Sequence, residues 1–305
     1  MYKNNLLIIS LLLIFIYILT KYSYTKNQIN NHVHRPIIPN NLYKPNTNTN
    51  LWLYWENIGN KKKPTYIDLC HETIKRNAKI PTIFLSPENI HHYLPTLRND
   101  LHKLSIPQKA DYIRICILKE YGGMWLDSDI IVYKSLKPLI NKLEKYDYIG
   151  FGCHHDYCKD TLNGKHPSPK PANWAMISRK NGILISKCLE QANLLLDSNM
   201  NFNMYWNYHK LGRELLWSQM NYLLTNSDWD YYHYTSKNVE RDKFGEKYTN
   251  ERFLSDEIMY PSKSFFTPLY NTAPGFPNWF LKMTKSQLVN KDMLICQLFR
   301  KALQL

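Results

Sequence analysis

The sequence predicts an α/β fold built on a mixed sheet with helices on both faces. Two observations carry the prediction. From residue 51 to about 196, short apolar runs of strand length alternate with longer segments whose apolar residues recur at helical spacing. Turn and cap residues stand at the junctions, and no internal repeat suggests a solenoid.

Taken in order, the chain opens on an apolar run, Leu6 to Thr20, flanked by Lys3, Lys21 and Lys26. It is short for a full span of about 20 residues. Tyr22 and Tyr24 extend it as interfacial aromatics. A cleaved signal peptide is the rival reading, but Thr20-Lys-Tyr-Ser-Tyr-Thr25 has no small-residue cleavage pattern. Residues 1–20 therefore read as a signal anchor, making the expected protein a single-pass membrane protein. Positive charge on both flanks leaves its orientation open. Residues 21–50, rich in Asn, Thr and Pro, read as a flexible stem. The globular domain is expected over 51–305, with a first half at about 51–150 and a second at about 151–305.

Leu51 to Trp55 is the first strand, running into a loop at Glu56-Asn57-Ile-Gly59. Pro64 to Asn77 has Ile67, Cys70, His71 and Ile74 near one helical face, with Pro64 suited to an early position. Pro81 to Leu85 is a second strand, and Ser86-Pro-Glu-Asn89 caps the segment after it. Pro107 to Tyr121 is a helix striped by Ala110, Ile113, Ile117 and Leu118 and ended by Gly122. Met124 to Leu126 and Ile130 to Tyr133 are strands, as are Tyr146 to Phe151 and Trp174 to Ser178. Gly182 to Leu196 is helical. Residues 197–305 are aromatic and loop-rich, and periodicity alone does not order them.

The net charge of +14 arises from 39 Lys and Arg against 25 Asp and Glu. It favours anionic company. No zinc-finger spacing, RNP-like segment or basic zipper accompanies it, so nucleic acid is not the expected partner. Six cysteines are too few for a disulfide scaffold. Cys70, Cys116 and Cys188 fall on apolar helix faces. Cys153 and Cys158 form a local disulfide or stay as thiols; a metal knuckle there lacks a second ligand pair.

The chemistry concentrates in Lys109-Ala-Asp-Tyr-Ile-Arg114 and Tyr121-Gly-Gly-Met-Trp-Leu-Asp-Ser-Asp129. Two carboxylates repel unless a cation sits between them. In extended backbone, residues i and i+2 share a face, so Asp127 and Asp129 could meet one divalent ion, which in turn holds a diphosphate. Gly122-Gly123 permits a tight, positive-φ approach immediately before them. Asp111 and Arg114, three apart, form either an intrahelical ion pair or a nucleoside and phosphate contact. Expected strand ends place Glu56-Asn57, Ser86 and the aspartates where ligands of α/β sheets gather.

These two segments resemble the sugar-binding-region DXD glycosyltransferases, closest to the capsular polysaccharide synthesis type near glycosyltransferase family 32. Those proteins carry an A/S-D-x-x-R helix followed by Y-G-G-x-x-x-D-x-D. The likeness continues through Trp55-Glu-Asn57, Tyr148-Ile-Gly-Phe-Gly152, Asn173-Trp-Ala-Met-Ile-Ser-Arg179 and Pro268-Leu-Tyr-Asn-Thr272. It implies a GT-A-like fold, a nucleotide-diphosphate sugar donor, a glycan or glycolipid acceptor, and Mn²⁺ or Mg²⁺ between the acidic pair and the diphosphate. By position, Asp129 is the principal metal ligand and Asp127 meets the metal or the donor ribose. Trp55, Asn57, Asp111, Arg114 and Gly123 lie toward the donor, and Asn173 with Trp174 toward the acceptor. Relatives are usually retaining, with the leaving phosphate as base.

A further metal ligand is expected from the second half. His209-Lys-Leu-Gly212 … Trp217 partly resembles the H-x-x-G-x-x-K-P-W segment of another GT-A group, with Leu215 and Leu216 where that group has Lys and Pro. Arg213 could supply the missing cation. His233, between two tyrosines, is the other candidate ligand. Two further readings stand beside a hexosyltransferase. A tethered glycan-binding protein has no need of paired acids. A metal-dependent phosphotransferase would want more carboxylates or a phosphate-cradling loop, and G-x-x-x-x-G-K-[ST] is absent.

Overall fold

The computed structural model describes residues 49–59, 61–153, 170–198, 208–239, 241–244, 246–259, 264–269 and 275–305. All belong to one unit, Tyr43–Leu305. The expected anchor and nearly all of the stem lie outside the described residues. Among the described residues no helix is long and apolar enough to cross a membrane.

The expected order of elements forms from β1 (Leu51–Tyr54) and α1 (Thr65–Asn77) through β2 (Thr82–Leu85) to α2 (Ile106–Tyr121). After these come β3 (Gly123–Leu126), β4 (Ile130–Val132), β5 (Tyr148–Phe151), β6 (Ala172–Ser178) and α3 (Ile183–Asp197). The region that periodicity does not order contributes α4 (Arg213–Asn226), β7 (Tyr232–Tyr234), β8 (Phe266–Pro268) and α5 (Leu294–Leu303). The main sheet runs β2-β1-β3-β6-β5-β7, and β4 with β8 makes a separate antiparallel pair. β1 is parallel to β2 and β3; β6 is antiparallel to β3 and β5; β5 is parallel to β7. The sheet is therefore mixed, as the sequence predicts.

Every strand near the centre is buried on both sides, so the two-residue period sorts its side chains between two cores. Trp52, Tyr54, Trp125, Tyr148 and Met176 pack under α2, α3 and α4. Leu51, Leu53, Met124, Leu126, Ile149 and Ile177 point to the other face, where Ile74 of α1 and the β4–β8 pair cover them. A third cluster joins α1 to α5 through Tyr66, Ile67, Cys70, Leu298 and Phe299. Helices thus lie on both faces.

Local chemistry explains where elements begin and end. α2 starts on a capping box, Ser105 with Gln108, and Pro107 occupies its first turn. It ends at Gly122, at φ 67°, whose N–H reaches the Leu118 carbonyl. Asn89 stands at the N-cap of a short helix, Ile90–Tyr93, as expected, but its side chain does not bond that helix: it accepts from the Ser86 N–H and donates to the Phe84 carbonyl, closing the turn before it. β5 starts at Tyr148 rather than Tyr146. Asp147 is drawn off the strand, accepting from the first N–H of α3 at Ile183 and from the Trp229 indole. Cys70, Cys116, Cys188 and Cys296 are free thiols, while Cys153 is disulfide-bonded. Cys158 lies outside the described residues.

Gly123 opens β3 against the backbone that enters β1 at Asn50. Its φ is +97°, and a Cβ there would stand 2.4 Å from the Asn50 carbonyl oxygen. Gly123→Ala therefore both strains the backbone and pushes the central strand pair apart. We expect it to cost at least about 3 kcal/mol, read as a lowered midpoint in urea unfolding. A midpoint within error of wild type would show that the β1–β3 contact yields without cost.

Candidate active site

β1, β2 and β3 run parallel, so their C-terminal ends share one edge, and antiparallel β6 begins at that edge. The edge therefore gathers Trp55 and Glu56 after β1, Asp127 after β3, and Asn173 at the start of β6. This is where sheets of this kind bind ligands.

Asp127-Ser-Asp129 is a turn between β3 and β4, not the extended segment expected from the sequence. Three bonds fix it. The Asp127 N–H donates to the Trp174 carbonyl at 2.8 Å. The Ser128 hydroxyl donates to the Tyr54 carbonyl at 2.9 Å. The Asp129 carbonyl accepts from the Leu269 N–H at 3.0 Å. The turn separates the carboxylates' surroundings. Asp127 continues the alternation of Trp125 and faces α2. Asp129 lies toward α1, where its charge, after burial, raises the Tyr66 phenol and the Cys70 thiol.

Arg114 organises the α2 side. Only 4% of its side chain is exposed, and it stands 2.7 Å from Asp127 and 2.9 Å from Asp111. Its guanidinium also lies 5.2 Å from the Trp125 ring centre, and the Trp125 indole donates to the same Asp127 oxygen, Oδ1, at 2.9 Å. The intrahelical pair allowed by the i,i+3 spacing is thus present, and it extends into a buried triad with Asp127. Asn173 donates to Asp111 Oδ1 at 2.9 Å. Gly212 backs onto the same carboxylate: a Cβ there would stand 2.4 Å from Asp111 Oδ2 and 2.6 Å from Asn173 Nδ2. Burial pushes the Asp111 carboxyl up to about 7 against the opposing pull of Arg114. Burial also raises Asp127, with Arg114 and Trp125 pulling the other way.

A bulge in the sheet makes this arrangement possible. Gly150 pairs with Met176, but the next residue, Phe151, pairs with Ala172. The extra residues in β6 break the alternation. Asn173 reaches Asp111 on one face, while Trp174 joins Ala175 on the other and meets Phe266 edge-on at 5.8 Å.

The remaining candidates fall at different distances from this centre. The Trp55 indole donates to the exposed Asn57 side chain at 2.9 Å, just beyond β1. His209 sits beside the site, its carbonyl accepting from the Gly212 and Glu214 N–H groups. Burial and then the Arg213 charge lower its pKa. Arg213 stacks over Trp217 at 5.6 Å. His233 is not brought to the aspartates. β7 lies three strands from β3, about 14 Å by strand spacing, and the His233 ring is held by the Gly152 carbonyl.

Sequence reasoning missed a second charged group at the same edge. Lys109, two residues before Asp111, bonds both Glu56 oxygens at 2.8 Å, and the Tyr54 hydroxyl donates to Glu56 at 2.6 Å. The signal was available: Glu56 comes just after the strand end, and Lys109 lies in the segment that carries Asp111.

Among the described residues no group of three or more His, Cys, Asp or Glu surrounds one point. A dedicated cage of protein ligands is therefore not what these residues build. A hard divalent ion shared with a diphosphate needs only one or two carboxylates. Asp127 keeps Oδ2 without a partner among the described residues, and its side chain is 34% exposed. Asp129 is partly exposed on the same turn. Asp127 Oδ2 fits Mn²⁺ or Mg²⁺ held jointly with a ligand, while Asp129, on the α1 side of the turn, is less directly placed.

The model of the family described as capsular polysaccharide synthesis protein matches residues 17–260. No curated protein matches the sequence. Among solved structures, the PaToxG glycosyltransferase is 18% identical, with 57% of this chain and 68% of that chain covered and a TM-score of 0.34. The galactosyltransferase LgtC, in complex with donor and acceptor sugar analogues, is 10% identical over 84% and 96%, with a TM-score of 0.40. Mouse xyloside xylosyltransferase 1 is 10% identical over 75% and 99%, with a TM-score of 0.43.

Two outcomes are expected from the triad. Arg114→Met should destabilise the protein by about 2–4 kcal/mol, because it strands the buried Asp111 carboxylate and unpairs the partly exposed Asp127; chemical denaturation measures it. A loss below about 1 kcal/mol would mean the carboxylates are better solvated than their burial indicates. For Asp111, the folded pKa lies above the unfolded one, so stability is present at low pH and is lost as pH rises from about 4 through 7. Asp111→Asn removes that component. The stability of the variant relative to wild type should therefore rise across this window, and a flat difference would contradict the assignment.

Proposed function

The chain belongs to the capsular polysaccharide synthesis protein family, and from that premise we propose that it is a metal-dependent glycosyltransferase, moving a hexose from a nucleotide-diphosphate sugar to a glycan or glycolipid acceptor. The observation that carries the reading is Asp127. It stands at the C-terminal end of a central strand, held through one oxygen by Arg114 and Trp125 and open at the other.

In this reading Asp127 Oδ2, joined by Asp129 from the other side of the turn, would hold Mn²⁺ or Mg²⁺, and the ion would supply charge neutralisation for the leaving diphosphate. Arg114 acts one step back: buried between two carboxylates, it fixes Asp127 rather than reaching for phosphate. Asp111, Asn173 and Gly212 tie the start of α4 to that same support, which places His209 and Arg213 at the rim, where a diphosphate would find a cation. Trp55 and Asn57 border the rim on the β1 side. We take the reaction as retaining, with the leaving phosphate as base, as the family resemblance implies. A tether through Leu6 to Thr20 would hold the enzyme at a membrane carrying a lipid-linked acceptor; partition of the full chain into washed membranes checks that placement.

The first test is thermal stabilisation of the full chain by a panel of nucleoside diphosphates, with and without Mn²⁺. One nucleotide should stabilise it, only with metal, by roughly 2.7 kcal/mol at about 100 times its Kd. Asp129→Ala should lose that metal dependence and turnover while keeping the wild-type melting temperature. No stabilisation by any nucleotide, or full turnover by Asp129→Ala, would overturn the reading.

A further inference from the structure

A second concavity lies on the same edge of the sheet, on the face opposite α2. It is a cavity of about 130 Å³ between the ends of β5 and β7 and the approach to β8. Its walls include Phe151 and Tyr234, whose rings stack at 5.3 Å and 5°, together with Phe265 and Val239. Asn238 and Ser264 bring the polar groups. The Ser264 hydroxyl donates to the Asn238 carbonyl, which fixes the two segments together. The Asn238 side-chain oxygen takes the Thr235 hydroxyl, so its NH₂ has no partner among the described residues; nor has the Tyr234 hydroxyl.

The chemistry of this lining is selective. None of the described residues lining the cavity is charged, although the Lys134 ammonium lies 5.9 Å from the centre of the Phe265 ring. An anionic group would leave water for a lining that offers no charged partner of its own, with one lysine beside it, so a neutral ligand is the better fit. At about 130 Å³ the cavity is slightly smaller than one that encloses benzene, so it would take one edge of a pyranose ring and leave the rest of the sugar in the open mouth. Aromatic walls take the apolar face of such a ring, while an exposed amide and a phenol at the margin take its hydroxyls. β5 runs parallel to β3 with β6 between them, so Phe151 ends about 10 Å along the edge from Asp127. The Trp174 and Phe266 pair lies between the two, in contact with Phe151 through Phe266.

We propose that this cavity is a subsite for one neutral hexose of the acceptor glycan, held away from the reacting end. The term acceptor rests on the transferase reading; the sugar site itself does not. It binds a pyranose against Tyr234 and Phe265, with Asn238 donating to its hydroxyls. An extended acceptor then crosses from this cavity past Trp174 to the aspartate turn.

The test uses the full chain and millimolar methyl α-glucoside, methyl α-galactoside and methyl α-mannoside, observed by saturation-transfer NMR. At least one should receive saturation from wild type. Tyr234→Ala should weaken that binding at least tenfold. Asn238→Trp, a substitution at an exposed position that closes the mouth without removing core contacts, should abolish it while the melting temperature and the Mn²⁺-dependent nucleotide stabilisation stay at wild-type values. Three results overturn the proposal: no transfer to any of the three sugars, undiminished transfer in a folded Asn238→Trp, or displacement of the sugar by free uridine or adenosine, which would give the cavity to a nucleoside. Loss of nucleotide stabilisation in wild type with sugar transfer intact would remove the transferase reading and leave the sugar site standing.

Discussion

The edge of this sheet depends on one buried cation. Arg114 lies inside the molecule with Asp111 on its own helix and Asp127 at the end of the central strand, and it offsets the cost of burying the Asp111 charge while it fixes Asp127. The pairing ties α2 to β3 at the place where the strand ends and chemistry begins. It also sets the orientation of Asp127, because the same oxygen that meets Arg114 takes the Trp125 indole N–H. What remains to Asp127 is a single oxygen with a defined direction. Preorganisation of that kind is what an electrostatic site needs, since a group already fixed loses nothing at the moment it acts.

The triad spreads outward through contacts that leave no room for substitution. Asn173 bonds Asp111, and Gly212 is pressed against both. The start of α4 is therefore coupled to the acidic turn although Gly212 and Asp127 are far apart in sequence. A bulge in β6 lets Asn173 serve this cluster while its neighbour Trp174 turns to the other face. One irregularity thus supplies two surfaces: a polar support beneath the aspartates and an aromatic path leading to the cavity beside β7. Bulges re-aim side chains in this way without breaking the sheet on either side.

Much of the fold was legible in the chain. Strands such as Leu51 to Tyr54 and the long α2 announce themselves because burial on both faces demands continuous apolar runs, and because Gly122 can stop a helix where other residues resist. The strands from the second half were not legible. β7 and β8 are three residues each, too short for any period to show, and their register is set by β5 and β4 rather than by their own pattern. The Glu56–Lys109 pair was equally hidden, since 53 residues separate its partners and only the parallel β1–β3 arrangement brings them to one edge.

The sequence by itself determined which residues bring charge to the end of the central strand: Asp111, Arg114, Asp127 and Asp129, together with the helix spacing that pairs the first two. Spacing along one helix is a local property, so it survives whatever the rest of the chain does. Only the tertiary structure decided what those charges face. It turned Asp127-Ser-Asp129 into a bend, because Ser128 is held by the β1 carbonyl and Asp129 by the strand approaching from Leu269. It placed His209 beside the triad and His233 three strands away, because position along the sheet comes from pairing order and not from the character of a histidine's neighbours in sequence.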